Sequence, residues 1–496
     1  MRIRSFPLAL LLASTALAGC ALQAPPRPDE IRAQSLPNVS VPGTWTAQGG
    51  TPGAVGDHWL ASFGDAQLDL LVKEALAFNT DLRIAAARVE QAAGYAKLAG
   101  STIYPAVNML AHGGGKGGGD GSGVSGVWFM ANWELDLWGR ARAERAAGEQ
   151  QFESTLADAE YSRQSIAAMV AKSWMLAIEA RLQLAIAGDV VRASEHALSL
   201  AGDRQRVGRG DEYDVAVAQT NLETSRDAAQ RLAFGQEQAL RALEALVGRY
   251  PAAAVEVAAA LPALPGPAPV GLPSELLERR PDIVAAERRV DAAFFRVAEA
   301  KAARLPKIAL TAGVSSISST LFVLENHDNP VWSLGGNLVA PIFNGYALQA
   351  QVDIRTAEQK LAIAEYGRIA QRAFGEVESA LSAASAADAR EAILARAAAS
   401  DARALDLAQV RYKVGSGDLR AVLQQSVALY GARTALLQVQ TDRLVQRVNL
   451  YLALGGSFEP VTPTAAIEPE SPAADGIASA GVPASTISTT SATSTR

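Results

Sequence analysis

The amino-acid sequence predicts an α+β membrane protein made of two copies of one elongated unit, each a β-strand pair set among long α-helices. Three observations point there. The chain repeats itself at a period of roughly two hundred residues, too long for a solenoid repeat and right for a duplicated unit. Each copy carries a strand, loop, strand pattern whose segments have the length that crosses a bilayer at a tilt. After each pattern comes a proline-free helical stretch of about 66 residues, or roughly 100 Å of helix.

The duplication is carried by Gly, Asp, Arg and Pro pairs, because Ala-rich sequence matches by chance. Asp81, Arg88 and Pro105 recur as Asp282, Arg289 and Pro306, with Ala85, Val89, Ala92 and Ala99 matching Ala286, Val290, Ala293 and Ala300. Leu82 and Glu90 become Ile283 and Asp291, and Gly139 pairs with Gly345. Val207, Gly208, Gly210, Asp211 and Val215 then recur as Val414, Gly415, Gly417, Asp418 and Val422.

Taken in order, the chain begins with an address. Arg2 and Arg4 precede an apolar run from Phe6 to Ala18, a charged and then hydrophobic leader that belongs outside fold reasoning. It ends Leu17-Ala18-Gly19-Cys20, and Cys20 is the only cysteine in 496 residues. No disulfide can form within the chain. We therefore read 1–19 as a signal peptide and 20–56, rich in Pro, Gly, Gln and Thr, as an extended arm with little structure of its own.

Residues 57–248 form the first repeat. Leu68, Leu71, Val72, Ala75 and Leu76 fall at helical spacing within residues 57–78. A second helix runs from Thr80 to Thr102, and Pro105 stops it. The β-hairpin is 104–138, broken by the Gly-rich loop 113–126 and rich in aromatics: Tyr104, Trp128, Phe129, Trp133 and Trp138. Its length and aromatics fit a membrane strand pair with interface girdles, and equally a soluble hairpin with an aromatic face. A long helix, 141–206, ends at Gly208-Arg209-Gly210-Asp211, where Gly supplies the turn and Asp caps the return helix 212–248. After a connection over 249–281, the second repeat, 282–454, repeats the order: helix, hairpin 307–343 (with Trp332 and Phe343), long helix 347–413, turn Gly415-Ser416-Gly417-Asp418, return helix 419–454. Each return helix and the short helix before its hairpin can stack end to end beside one long helix, with 249–281 as an equatorial belt. Residues 455–496 are Pro, Ser, Thr and Ala, read as a disordered tail.

Four strands cannot close a barrel, and an open sheet edge in lipid leaves backbone groups unsatisfied. A membrane reading therefore requires a cyclic oligomer, with 8, 12 or 16 strands from two, three or four chains.

Composition excludes several classes. A net charge of −6 and a pI near 5.5 give no basic footprint for nucleic acid. His58, His112, His196 and His327 are scattered without metal-ligand spacing, so no metal site is expected. No GxSxG or HExxH pattern supplies a catalytic group. The Gly-rich loop lacks a Lys followed by Ser or Thr and joins two strands, which does not suit phosphate. We expect no catalytic residues and no cofactor. The residues leave open a lipid-anchored coiled-coil envelope scaffold, which the long helices and Cys20 would serve equally well.

The segments WLASFGDAQLDLLVKEALAFNTDLRIAAARVEQA, WELDLWGRARAE, GLPSELLERRPDIVAAERRV, PIFNGY, AFGEVESAL and YLALGG resemble the outer membrane efflux protein family, TolC-like channels, in its NodT-type lipoprotein branch. The resemblance covers Trp59 to Gly456. It implies a homotrimer with a 12-strand barrel in the outer membrane, continued by an α-helical periplasmic barrel. It implies a periplasmic adaptor (membrane fusion) protein and an inner-membrane pump of the resistance-nodulation-division type as partners. The function it implies is an exit duct for drugs or other toxic small molecules, with metal-ion or protein secretion as the alternative. Leu17-Ala18-Gly19-Cys20 resembles the bacterial lipoprotein box, implying a covalent lipid on Cys20. Ala21 resembles an outer-membrane sorting residue. In the family the tube closes at its periplasmic tip near the long-helix turns. Here those turns hold Asp211, Asp214 and Asp418, with Arg206, Arg209, Arg411, Tyr412 and Arg420 nearby. The second turn departs from the pattern, with Gly417 where an acid is expected and Arg420 where an apolar residue is common. Symmetry would gather the turns into a ring of carboxylates that attracts cations and is held by arginine. The competing role for Asp211 and Asp418 is helix capping alone.

Overall fold

A computed structural model describes residues 24–112, 124–319 and 331–458, all within one compact unit. The leader, Cys20, the two loops joining the strands of each hairpin, and residues 459–496 lie outside the described residues.

The elements follow in order: α1 (Pro28–Ser35), α2 (Ala66–Phe78), α3 (Thr80–Ser101), β1 (Ala106–His112), β2 (Val124–Leu135), α4 (Arg140–Arg206), α5 (Glu212–Val247), α6 (Leu276–Arg279), α7 (Pro281–Ala302), β3 (Lys307–Ser319), β4 (Val331–Val339), α8 (Ala347–Lys413) and α9 (Leu419–Ala453). Among the described residues no helix is long and apolar enough to cross a membrane.

Local chemistry fixes the ends. Residues 57–78 are not one helix: a 3-10 turn, Trp59–Phe63, is closed by Gly64 at φ 61. Asp65 then caps α2, accepting from the backbone N–H groups of Gln67 and Leu68. β2 ends before Trp138 because Asp136 turns to cap α4, accepting from Ala141 N–H at 3.1 Å and Arg142 N–H at 2.9 Å. β4 stops at Val339, short of Phe343, because Pro341 has no N–H for the ladder. Pro281, not Asp282, is the first residue of α7, the position where a fixed φ and a missing donor cost nothing.

The helices form a single layer. Near the sheet the neighbours run α3, α4, α7, α8; in the other half they run α5, α4, α9, α8. The long helices α4 and α8 pass through both halves. Alanines dominate the buried positions of α4, among them Ala143, Ala167, Ala168, Ala171 and Ala177, which lets the axes approach closely. Where the halves meet, the main core gathers Trp59, Phe63, Trp174, Ile283, Tyr366 and Val448. Trp59 stacks on Tyr451 at 5.8 Å, and Trp174 donates its indole N–H to Asp65 at 2.7 Å.

Two sequence expectations are corrected here. The arm is not featureless: α1 buries Ile31 at 1% exposure, and Trp45 donates to the Val270 carbonyl at 3.0 Å. The first residues after 454 are packed rather than loose. Gly455 lies against Arg280, and Phe458 is buried in the main core.

The four strands form one antiparallel sheet in the order β1-β2-β3-β4. Register places Met109, Phe129 and Val314 in one row and Ala131, Ala312 and Leu334 in the next. That face also carries Val107, Trp133, Leu310, Trp332 and Leu338, every one of them exposed in the single chain. The opposite face carries Asn108, Asn132, Glu134, Thr311, Gly313, Ser333 and Asn337, with Trp128 and Met130 among them. One face is apolar except for Ser125, Ser316 and Ser318 at its loop end, and the other is mainly small and polar, the inverse of a soluble protein, where the exposed face is the polar one. Among the described residues, β1 and β4 each keep one edge that no strand pairs.

One core acid sits badly. Asp291 is 5% exposed, and its Oδ1 has no hydrogen-bond partner. Burial pushes its carboxyl up to about 6 from 3.8; Glu287 adds to this and Arg288, at 3.6 Å, opposes it. Because the folded value exceeds the unfolded one, this group favours folding below pH 4 and loses that contribution as pH rises through 6. Asp291→Asn should therefore raise the unfolding free energy at pH 7.5 by an amount on the order of 2 kcal/mol. It should also flatten the pH 4–6 dependence. Parallel pH profiles for mutant and wild type would refute this.

Candidate functional site at the helix turns

The far ends of α4 and α8 carry matched turns. Gly208 (φ 67) and Gly415 (φ 81) take the left-handed conformation that ends each helix. Gly210 and Gly417 pass so close to the preceding helix that a Cβ would lie 3.2 Å from Arg204 Cβ and 3.0 Å from Arg411 Cβ respectively. Asp211 accepts from Asp214 N–H at 2.9 Å and so caps α5; Asp418 accepts from Arg420 N–H at 3.1 Å and caps α9. Both aspartates are thus helix caps in this chain, whatever else they do.

Two arginines tie the turns together. Arg204 reaches from α4 to the Tyr412 carbonyl on α8 at 2.9 Å, with its guanidinium 4.4 Å from the Tyr412 ring centre. Arg420 on α9 donates to the Tyr213 hydroxyl on α5 at 2.7 Å and lies 4.9 Å from that ring. Tyr412 is 2% exposed and packs with Ala197, Ala201, Leu419 and Val422 in a small core of its own. Burial raises the Asp214 carboxyl above its ordinary value; Asp211 and Asp418 push it further, while Arg204 and Arg420 oppose them. Three acids and two arginines therefore share one electrostatic cluster.

The structure brings together Asp211, Asp214, Asp418 and Tyr412 from the sequence-derived set. It does not bring in Arg206, which pairs with Asp203 on its own helix, or Arg411, which makes no ion pair among the described residues. Sequence reasoning missed Arg204 and Tyr213. The duplication could have signalled both. Arg204 is the repeat mate of Arg411, and Tyr213 is the repeat mate of Arg420. Tyr213 and its repeat mate Arg420 meet across the turn pair, whereas Arg204 meets Tyr412, the neighbour of its repeat mate. Between α5 and α9, just inside the turns, lies an open groove of about 610 Å3 lined by Tyr213, Val217, Thr220, Leu423, Gln424 and Val427. Among the described residues no group of acids, histidines or cysteines could hold a metal ion.

Comparison with known proteins gives one answer. The sequence profile of the family described as outer membrane efflux protein matches residues 71–249 and 272–456. The chain is 33% identical over 423 residues to the pyoverdine export outer membrane protein OpmQ of Pseudomonas aeruginosa, covering 81% of this chain and 88% of that one. It is 30% identical over 456 residues to the cation efflux system protein CusC of Escherichia coli, covering 90% and 97%. The solved outer-membrane channel OprN superposes with a TM-score of 0.76 at 26% identity, covering 86% of this chain and 99% of that one.

Proposed function

The chain belongs to the outer membrane efflux protein family, and from that premise we propose that it is the outer-membrane channel subunit of a tripartite efflux pump. Three copies form an exit duct across outer membrane and periplasm for toxic small molecules. The observation that carries this reading is the sheet, with its largely apolar face and its two edges that no strand pairs among the described residues. In lipid such edges must be paired. The β4 edge of one copy therefore pairs with β1 of the next, a head-to-tail contact that closes into a ring of twelve strands. The same rotation sets the free flank of α8 against α3 and α5 of the next copy, extending the helical layer into a tube. The apolar face meets lipid and the polar face lines the pore. Indole N–H groups near the sheet base are satisfied, Trp133 by the Ile103 carbonyl and Trp138 by that of Pro306, as suits an interfacial belt.

A lipid-anchored scaffold has no use for an apolar sheet face. The soft-metal alternative finds little support either, since Met109 and Met130 lie on opposite faces of the sheet. A periplasmic adaptor would dock at the turn end, where the groove between α5 and α9 opens, and the pump would engage below it. The native mass of the detergent-extracted protein tests the assembly: a trimer is expected, and a clean monomer would overturn the channel. Cys20 carries the lipid anchor in this reading. Cys20→Ala should abolish incorporation of labelled palmitate, and unchanged labelling would remove the anchor.

A further inference from the structure

We propose that the N-terminal arm is a strap of matched length, whose seat on α8 fixes how far the lipidated N-terminus stands from the base of the sheet. This rests on the lipid anchor proposed above. The strap is registered along α8 in order. Ser35 sits against Gly367, where an added Cβ would lie 2.6 Å from the Ser35 carbonyl oxygen. Further along, Trp45 packs on Phe374 at 6.4 Å. The Glu378 carboxylate then accepts from the backbone N–H groups of Thr46 at 2.9 Å and Ala47 at 2.7 Å. Gly49 follows against the Leu381 carbonyl. Beside this row, Arg32 pairs with Glu278 at 3.1 Å, and Thr51 bridges to Pro269. The strap thus runs away from the sheet as the chain proceeds, and its N-terminal end is the end nearest the sheet.

Length then becomes the constraint. From Gly367 back to Ala347, where α8 begins beside the sheet, the helix rises about 30 Å. The residues between Cys20 and Pro28 span at most about 28 Å when extended, and the short helix α1 adds at most about 12 Å. The reach of the anchor exceeds the distance by at most about 10 Å. An asymmetry follows: shortening the segment before α1 breaks the link, while lengthening it does not. Removing residues 22–26 leaves a reach of at most about 22 Å, too short for whichever way α1 lies. Ala21 and the Arg27 that precedes α1 are kept.

The test compares four full-length forms in cells: wild type, the five-residue deletion, the same segment replaced by five Gly and Ser residues, and a ten-residue Gly-Ser insertion. Each is scored for labelled palmitate and for trimer that displays an epitope placed between β1 and β2. We expect palmitate in all four, wild-type surface trimer in the replacement and the insertion, and at least a tenfold loss in the deletion. A deletion form that is lipidated and displays normal trimer overturns the strap. So does a replacement that fails as badly as the deletion, since sequence and not length would then matter. Absence of palmitate from wild type would instead remove the anchor and the strap with it. Gly367→Val in the insertion background checks the seat: surface trimer should persist while protease cleaves the arm before Trp45 faster than in the parent, and unchanged cleavage counts against the register.

Discussion

Arg280→Ala should destabilise the protein by about 3–5 kcal/mol, because it strands a buried acid. Arg280 is fully buried, yet every guanidinium nitrogen is engaged. It donates to both carboxylate oxygens of Asp282 at 2.8 and 3.1 Å, pairs with Glu376 at 2.5 Å, and reaches the Tyr161 hydroxyl at 3.3 Å. It also donates to the Ala453 carbonyl at 3.3 Å, in the last turn of α9, where a cation suits the helix dipole. One side chain therefore joins α4, α7, α8 and α9 at the middle of the chain. Burial disfavours its charge, but Asp282, Tyr161 and Glu376 outweigh that and raise its pKa, so it stays a cation. Without it Asp282, 6% exposed, keeps Arg372 at 3.4 Å as its one cationic partner among the described residues. The midpoint for loss of helical circular dichroism, at fixed protein concentration, should fall by about 3–5 °C. Arg280→Lys keeps the charge and loses the fork, so it should fall between mutant and wild type. Adding Asp282→Asn to Arg280→Ala should restore part of the loss, because the stranded charge has gone. If the single mutant melts within a degree or two of wild type, the network contributes nothing net.

How far the sequence foretold this depends on how local the cause is. Capping by Asp211 and Asp418 was legible, since the partner N–H groups are two or three residues away. The split of the sheet into an apolar and a polar face was legible in principle from the alternation Val107, Met109 against Asn108. It became decisive only when pairing set Met109 beside Phe129 and Val314. Locally, Arg280 is only the residue before Pro281, at a helix boundary. Nothing nearby in sequence announces that Tyr161, Glu376 and Ala453 converge on it. The helix in the arm was missed although Pro28, at its first position, is a signal in its own right. The arm's composition suggested no structure because its stabilising partners, Glu378 and Val270, lie hundreds of residues away.

The tip offers the second large effect. In Arg204→Ala with Arg420→Ala, mean single-channel conductance in planar bilayers should rise at least threefold. Each arginine combines a charge-assisted or carbonyl hydrogen bond with a stacked aromatic ring, worth about 1–2 kcal/mol per contact. The two contacts join separate helix pairs: Arg204 ties α4 to α8, and Arg420 ties α9 to α5. Nothing else among the described residues bridges α5 to α9 there with a hydrogen bond or ion pair. The groove beside them shows that these helices are not otherwise packed together. In a trimer the loss is repeated three times, so several kcal/mol holding the ring shut would disappear. The acids need a different substitution, because Asp→Ala would remove a helix cap and a charge together. Asn caps as well as Asp does, so Asp211→Asn with Asp418→Asn isolates the charge. That pair should lower cation selectivity while leaving conductance near wild type. Acidification should have the same direction, because the raised pKa of Asp214 favours loss of its charge as pH falls. Should the arginine double mutant conduct like wild type, the turns are caps and joints, and the closure must be sought elsewhere along the tube. A rise in conductance with unchanged selectivity in the asparagine pair would instead leave the arginines as the latch and the acids as caps alone.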